Sequence, residues 1–207
     1  MKKPKEKISR RIGENLFLKG ERSFSQKSAM IRKPYPPGQH GQKRKRGAVS
    51  EFGRQLVEKQ KLKFMYGLRD RQFKRYIKES TAAKGETGDN LLRKLEMRLD
   101  NVIYRLGFAF SRSIARQLVG HGHFTLNGKR VTLPSQEVKI GNLIKIRPAS
   151  ETKQMFSDIK TVLKKYKTPS WLSLDKDKLE GKIIGRPEKE EIGFSGNLSA
   201  IVEYYSR

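Results

Sequence analysis

Three groups of residues have the types and spacing that chemistry needs. Ser111, Arg112 and Arg116 place a helix-capping hydroxyl beside two guanidinium groups four residues apart. Side chains at that spacing share a helix face. The N-terminus of the helix adds free N–H groups and partial positive charge, and guanidinium forks suit phosphate oxygens. His121 and His123 flank Gly122 and carry metal-ligand nitrogens, but no nearby carboxylate or cysteine cluster completes a site. A hydrogen bond to a polar ligand or to solvent is the use left to them. Gly122 followed by Gly128-Lys129 approaches a phosphate-binding loop. It has five intervening residues instead of four, and Arg130 stands where Ser or Thr should.

A fourth group carries a carboxylate. Arg98-Leu99-Asp100 matches the tripeptide around the catalytic aspartate of pseudouridine synthases. Here it falls inside an expected amphipathic helix whose apolar stripe includes Leu99, so Asp100 is expected to be a helix-surface charge paired locally. No Ser/His/Asp or Cys/His constellation is present. The absence of cysteine excludes disulfides and thiolate metal sites. These residues point to no enzyme, no metal and no cofactor.

Composition says what the basic groups meet. Lys and Arg number 47 against 21 Asp and Glu, a formal charge of +26 over 207 residues. Such self-repulsion opposes compaction unless a polyanion offsets it, and clustered basic charge is the footprint of a nucleic-acid binder. The excess is uneven: +12 over residues 1–50, +5 over 51–96, +7 over 97–147 and +2 over 148–207. The polyanion is therefore expected at the N-terminal arm and the 97–147 segment. No apolar run approaches the ~20 residues of a membrane span, and Met1-Lys2-Lys3-Pro4 lacks a secretory h-region. A cytosolic protein, or one made inside an organelle, fits; no membrane partner is expected.

The elements that must position these groups follow from periodicity. Residues 1–50 show little, and Tyr35-Pro36-Pro37-Gly38-Gln39-His40-Gly41 is expected to be extended or turned. The cluster Lys43-Arg44-Lys45-Arg46 follows, either ordering on RNA or staying solvated. From Glu51 the spacing of Phe52, Leu56, Leu62, Met65 and Tyr66 predicts a helix bearing Arg54, Lys59 and Lys61. Beyond Gly67, Phe73, Tyr76 and Ile77 predict another, whose Arg69, Arg71, Lys74 and Arg75 face phosphate or water. Asp89 is a candidate N-cap for one helix running through Leu91, Leu95, Leu99, Val102 and Leu106. Ser111 caps the next, which stops near Gly120. Phe124–Leu126 and Arg130–Leu133 alternate around Asn127-Gly128, a hairpin turn, and Leu143–Arg147 predicts a further strand. The expected fold is α+β, a helical region packed with a small helix-helix-sheet module.

At these residues the chain resembles a known family, the bacterial and organellar small-subunit ribosomal proteins called S-four. The strings are Leu18-Lys19-Gly20-Glu21-Arg22, Tyr35 through Gly41, Glu58-Lys59-Gln60-Lys61, Arg98 through Val102 and Tyr104 through Ala109. Ala115 through Val119, His121-Gly122-His123, Asn127-Gly128, Trp171-Leu172 and Tyr205-Ser206-Arg207 complete them. The resemblance implies a basic arm at 1–50, a helical region at 51–96 completed by the C-terminal segment, an S-four RNA-binding domain at 97–160, and a closing segment at 161–207. It implies a structural protein that binds small-subunit ribosomal RNA early in assembly, at a helix junction. It further implies a place beside ribosomal protein five, near where mRNA enters, and an influence on decoding accuracy. Some relatives also repress their own operon. Many hold zinc with four cysteines; two of those positions fall here on Ser23 and Ser28, so a zinc-free member is expected.

Charge, motif and resemblance together nominate an RNA-binding set. It comprises Tyr35, His40, Lys43, Arg44, Lys45, Arg46, Arg54, Lys59, Lys61, Arg69 and Arg71 in the first half. Ser111, Arg112, Arg116, Gln117, His121, His123, Asn127 and Lys129 make up the second. Two other readings stand beside it: an RNA-modifying enzyme using Asp100, and a regulator that binds mRNA off the ribosome.

Overall fold

The structure, a computed structural model, describes residues 4–43 and 48–206. The chain divides into two compact units, one from Met1–Leu91 with Phe194–Arg207, the other from Leu92–Gly193.

In the first unit the arm is less irregular than its sequence suggests. Among its described residues it carries the short helices α1 (Lys5–Ile12) and α2 (Ala29–Arg32), with a 3-10 turn at Gly20–Ser23. Helices this short are marginal alone; here α1 packs on α2 and on α3 (Glu51–Met65). The Arg10 guanidinium fixes the chain beyond α2 by donating to the carbonyls of Lys33 and Tyr35, each at 2.9 Å. Ser50 caps α3, its hydroxyl accepting the Gly53 N–H at 3.2 Å. The buried face of α3 is not the expected apolar stripe. Gln55, Lys59, Leu62 and Lys63 are buried, while Phe52 is 51% exposed. Polar residues are tolerated there because they have partners: Gln55 Nε2 donates to Glu203 on α11 (Leu198–Ser206) at 3.0 Å. Helix α4 (Asp70–Thr81) buries Phe73, Tyr76 and Ile77, as their spacing predicts.

The expected long helix from Asp89 is two helices. The first, α5 (Thr87–Glu96), carries Asp89 inside its first turn, not at the cap; the second is α6 (Leu99–Arg105). No glycine or proline marks the break. Instead the backbone at 97–99 pairs with 136–138: Val138 N–H donates to the Met97 carbonyl, and Leu99 N–H to the Gln136 carbonyl, each at 2.9 Å. Arg98 takes extended dihedrals in that bridge. A long-range β-bridge has overridden helix propensity, which is a weak prior.

Helix α7 (Arg112–Gly120) follows, then β1 (Phe124–Leu126) and β2 (Lys129–Val131). Leu126 stands opposite Lys129, so Asn127 and Gly128 alone make the turn, at φ 50° and 79°. Both positive angles are those of a type I′ hairpin, which Asn-Gly favours. Beyond β3 (Leu143–Ile146), β4 (Leu172–Asp175) and β5 (Glu180–Ile183) extend one antiparallel sheet in the order β2-β1-β3-β5-β4. Both β4 and β5 lie in the 161–207 stretch that the resemblance implies is a closing segment. Short helices α8 (Pro148–Glu151), α9 (Ile159–Lys165) and α10 (Lys189–Ile192) complete the unit. Its core joins Leu99, Val102 and Ile103 of α6 and Leu118 and Val119 of α7 to Phe124, Ile144, Ile146 and Ile183 of the sheet. The architecture is α+β.

Candidate nucleic-acid interface

The turn that leaves α7 gathers positive charge that no carboxylate offsets among the described residues. Gly122 adopts φ +73°, and its Cα lies so close to the Arg130 guanidinium that a Cβ there would overlap it. Arg147 Nη1 donates to the Gly122 carbonyl at 3.3 Å, and Arg130 Nη2 to the His121 carbonyl at 3.5 Å. Neither arginine meets a carboxylate among the described residues; both use backbone oxygens and keep their charge uncancelled. Lys153 and exposed His121 are close enough to act electrostatically on His123, together with these two arginines. Lys129 is exposed in the hairpin beside them. Such a cluster can offer charge-assisted hydrogen bonds to an anion. Arg130 lies in β2 and Arg147 just beyond β3, and neither belongs to the nominated set. Their convergence depends on the β1–β2 and β1–β3 pairings.

His123 itself points inward. It is 4% exposed, and its Nδ1 shares a hydrogen bond with Ser150 Oγ at 2.9 Å. Burial first, then Lys153, His121, Arg147 and Arg130, holds its pKa below the ordinary 6.5. The folded state thus resists a proton that the unfolded chain accepts. Stability from this residue is complete above pH ~6.5 and is lost as pH falls through that value toward the folded pKa. The thermal midpoint is expected to drop between about pH 7.5 and about pH 5.5, with a shallower drop in His123→Gln. An equal slope in the two proteins would remove His123 as the cause.

The other nominated residues of this unit divide into caps, struts and surface. Ser111 is buried at the N-cap of α7, and its hydroxyl accepts the Ile114 N–H at 3.4 Å. Arg112 does not reach outward as expected: its side chain is 14% exposed, its Nε donates to Asn101 Oδ1 at 2.7 Å, and its guanidinium stacks on Tyr104 at 4.6 Å. Arg116 turns both Nε and Nη2 onto Asp100 Oδ2, at 2.9 and 2.7 Å, and is 36% exposed. Asp100 is therefore no surface charge. It is 2% exposed, and Arg98 donates to both its oxygens at 3.1 and 2.8 Å. A carboxylate so enclosed is unavailable to an RNA base, which removes the enzyme reading of that tripeptide. Asn127 Oδ1 accepts the Leu143 N–H at 2.8 Å and shapes the hairpin, while Gln117 is exposed on α7.

In the first unit two lysines are likewise struts. Lys59, 8% exposed, lies 3.2 Å from Asp70 and over the Tyr204 ring at 4.7 Å. Burial pulls its pKa down, but Tyr205 and the Asp70 carboxylate outweigh that, so the ammonium is held charged. Lys61 bridges Glu14 and Glu58 at 2.6 and 2.7 Å; burial opposes its charge and the two carboxylates win, raising its pKa. What remains outward is Arg54 on α3 and the run Arg69, Arg71, Lys74, Arg75 and Lys78 along α4, where Arg75 pairs with Glu79 at 3.4 Å. Tyr35 is half-buried under the Arg10 guanidinium at 4.9 Å. His40 and Lys43 are exposed, and the His40 carbonyl accepts the Lys43 N–H at 3.1 Å. Arg44, Lys45 and Arg46 lie outside the described residues.

Zinc does not fit the positions where many relatives are expected to hold it. The Ser23 hydroxyl accepts the Lys19 N–H at 3.2 Å, and a serine hydroxyl does not replace a thiolate as ligand. Asn15 Nδ2 ties the same loop by donating to the Ser23 carbonyl at 2.9 Å.

Two helices on a small antiparallel sheet, with cations held on backbone carbonyls and the Asp100 carboxylate enclosed by arginines, are features of a structural RNA-binding protein. Comparison with known proteins makes the class specific. Residues 1–96 match the family described as ribosomal protein S4/S9 N-terminal domain, and residues 97–144 match the S4 domain. Small ribosomal subunit protein uS4 of Solidesulfovibrio magneticus is 49% identical over 201 residues, spanning 97% of this chain and 96% of that protein. The proteins of the same name from Caldicellulosiruptor bescii and Thermus thermophilus are 49% and 47% identical over the same length and shares. The chain belongs to the uS4 family of small ribosomal subunit proteins, which are structural and non-enzymatic.

Proposed function

We propose that this protein is a primary binder of small-subunit ribosomal RNA on the cytoplasmic ribosome. It nucleates assembly at an rRNA helix junction and, beside ribosomal protein five and near incoming mRNA, influences translational accuracy. The observation that carries the RNA contact is the uncompensated cation cluster around Gly122, with Arg130, Arg147, Lys129 and Lys153 meeting no carboxylate among the described residues. The exposed basic run of α4 supplies a further phosphate-facing surface. Family membership along 97% of the chain supports the ribosomal identity of the RNA.

A primary binder needs no other protein. Mixed with a bacterial small-subunit rRNA transcript alone, the chain is expected to bind, with affinity falling steeply as salt rises and counterions are released. Binding that appears only after other small-subunit proteins are added would remove the nucleating role. In cells, crosslinking is expected to recover small-subunit rRNA; recovery dominated by mRNA would favour an off-ribosome regulator. Variants of the α4 cations are expected to change misreading of a stop-codon reporter, which tests the accuracy role separately.

A further inference from the structure

The loop at 15–24 presents two aromatic rings to solvent for which neither the fold nor the interface above has a use. Phe24 is 72% exposed and Phe17 45%, and their rings stack with centroids 4.7 Å apart and planes 21° apart. A ring left mostly in water gains little from burial. Yet the backbone is held in an unfavourable state to keep it there. Phe17 has φ +50°, the left-handed region, where a bulky residue is a genuine outlier. Polar ties enforce it. Asn15 Oδ1 accepts the Phe17 N–H at 3.1 Å, and Asn15 Nδ2 donates to the Ser23 carbonyl at 2.9 Å, so one side chain sets both arms of the loop. Strain retained around an exposed side chain is characteristic of ligand clamps.

The surroundings say which ligand. Residues 17–33 carry five basic side chains and one acidic. Lys19 and Arg22 share Glu6 at 3.8 and 3.0 Å, while Lys27, Arg32 and Lys33 are exposed. Arg22, Gln26 and Lys27 beside the rings are exposed, so the two rings are set among cations, a surface that favours a polyanion. We propose that the Phe17–Phe24 pair is a stacking platform for one unpaired nucleobase of ribosomal RNA. Phe24 supplies the outer face, and the cations at 27–33 attract the adjoining phosphates. Unstacked bases are the parts of RNA that aromatic side chains recognise. The proposal rests on the rRNA-binding reading above and adds a site to it.

The test uses the full chain, a bacterial small-subunit rRNA transcript, and the variants Phe24→Leu and Phe24→Trp across a salt series. Loss of the stacking face is expected to weaken binding about tenfold in Phe24→Leu at every salt concentration. The salt slope should not change, because no phosphate contact is removed. Phe24→Trp is expected to bind as tightly as the parent, with its added indole emission quenched by RNA. Thermal midpoints should stay together, since the ring is mostly outside the fold. Parent-like affinity in Phe24→Leu, with salt-dependent binding intact, would overturn the platform alone. A loss that Phe24→Trp does not restore, or that accompanies a lowered midpoint, would overturn it too, as a folding effect. No rRNA binding by the parent chain would overturn both readings.

Discussion

Asp100→Ala is expected to destabilise the Leu92–Gly193 unit by about 3–5 kcal/mol, the range for breaking a buried ion pair from one side. The measurement is the denaturant midpoint. Asp100 and Arg98 both have side chains 3% exposed, and Arg116 closes over the same carboxylate. Removing the carboxylate takes away the countercharge that two guanidiniums share, and leaves buried charge under-compensated. Position adds to the effect, because Asp100 stands in the first turn of α6, where a carboxylate favours the helix N-terminus. Asp100→Asn keeps the shape and loses the charge, so it should fall between parent and alanine variant. Combining Asp100→Ala with Arg98→Met should recover part of the loss, since removing both charges relieves the uncompensated one. An alanine variant within about 1 kcal/mol of the parent would show that the pair is not a strut.

That carboxylate also shows where the sequence stops being legible. Local signals were sufficient for local structure. The Ser111 cap, the Asn127-Gly128 turn, the glycine break at 67 and the Phe73-Tyr76-Ile77 stripe each rest on neighbouring residues, and each is found. The α+β class followed from their order. What failed depended on partners distant in sequence. Nothing near Arg112 and Arg116 announces that Asn101, Glu96 and Asp100 engage them, so their shared helix face does not by itself say how far they reach outward. The same holds for Lys59, whose Tyr204 partner lies at the other end of the chain. The break at Arg98 needed the 136–138 segment, and α3 could bury polar residues only because α11 and Asp70 answer them. Leu172-Ser173-Leu174-Asp175 does alternate, but four residues with charged neighbours make a weak strand signal until β5 is beside them. Charge pattern marks the basic segments; which of their arginines the fold draws inward depends on partners elsewhere in the chain.

The choice between arginines can be decided by pairing variants from the two environments. Arg130→Ala with Arg147→Ala is expected to weaken rRNA binding by about a hundredfold or more at low salt, as two charge-assisted contacts of about 1.5–3 kcal/mol each are lost. The slope of log affinity against log salt should become shallower by roughly one unit per phosphate contact removed. Both guanidiniums rest on the backbone of the His121–Gly122 turn, so their removal strands no carboxylate. The thermal midpoint should change little in consequence. Arg112→Ala should behave in the opposite way. Its guanidinium lies against Tyr104 and within 3.6 Å of Glu96, a carboxylate that is fully buried. Its loss should therefore lower the midpoint while the salt slope of the folded fraction stays parental. Were Arg112→Ala to flatten the slope and leave the midpoint alone, the interface would belong on the N-terminal turn of α7. The Gly122 cluster would then be a packing feature. The two variants separate charge that faces the polyanion from charge the fold has already used.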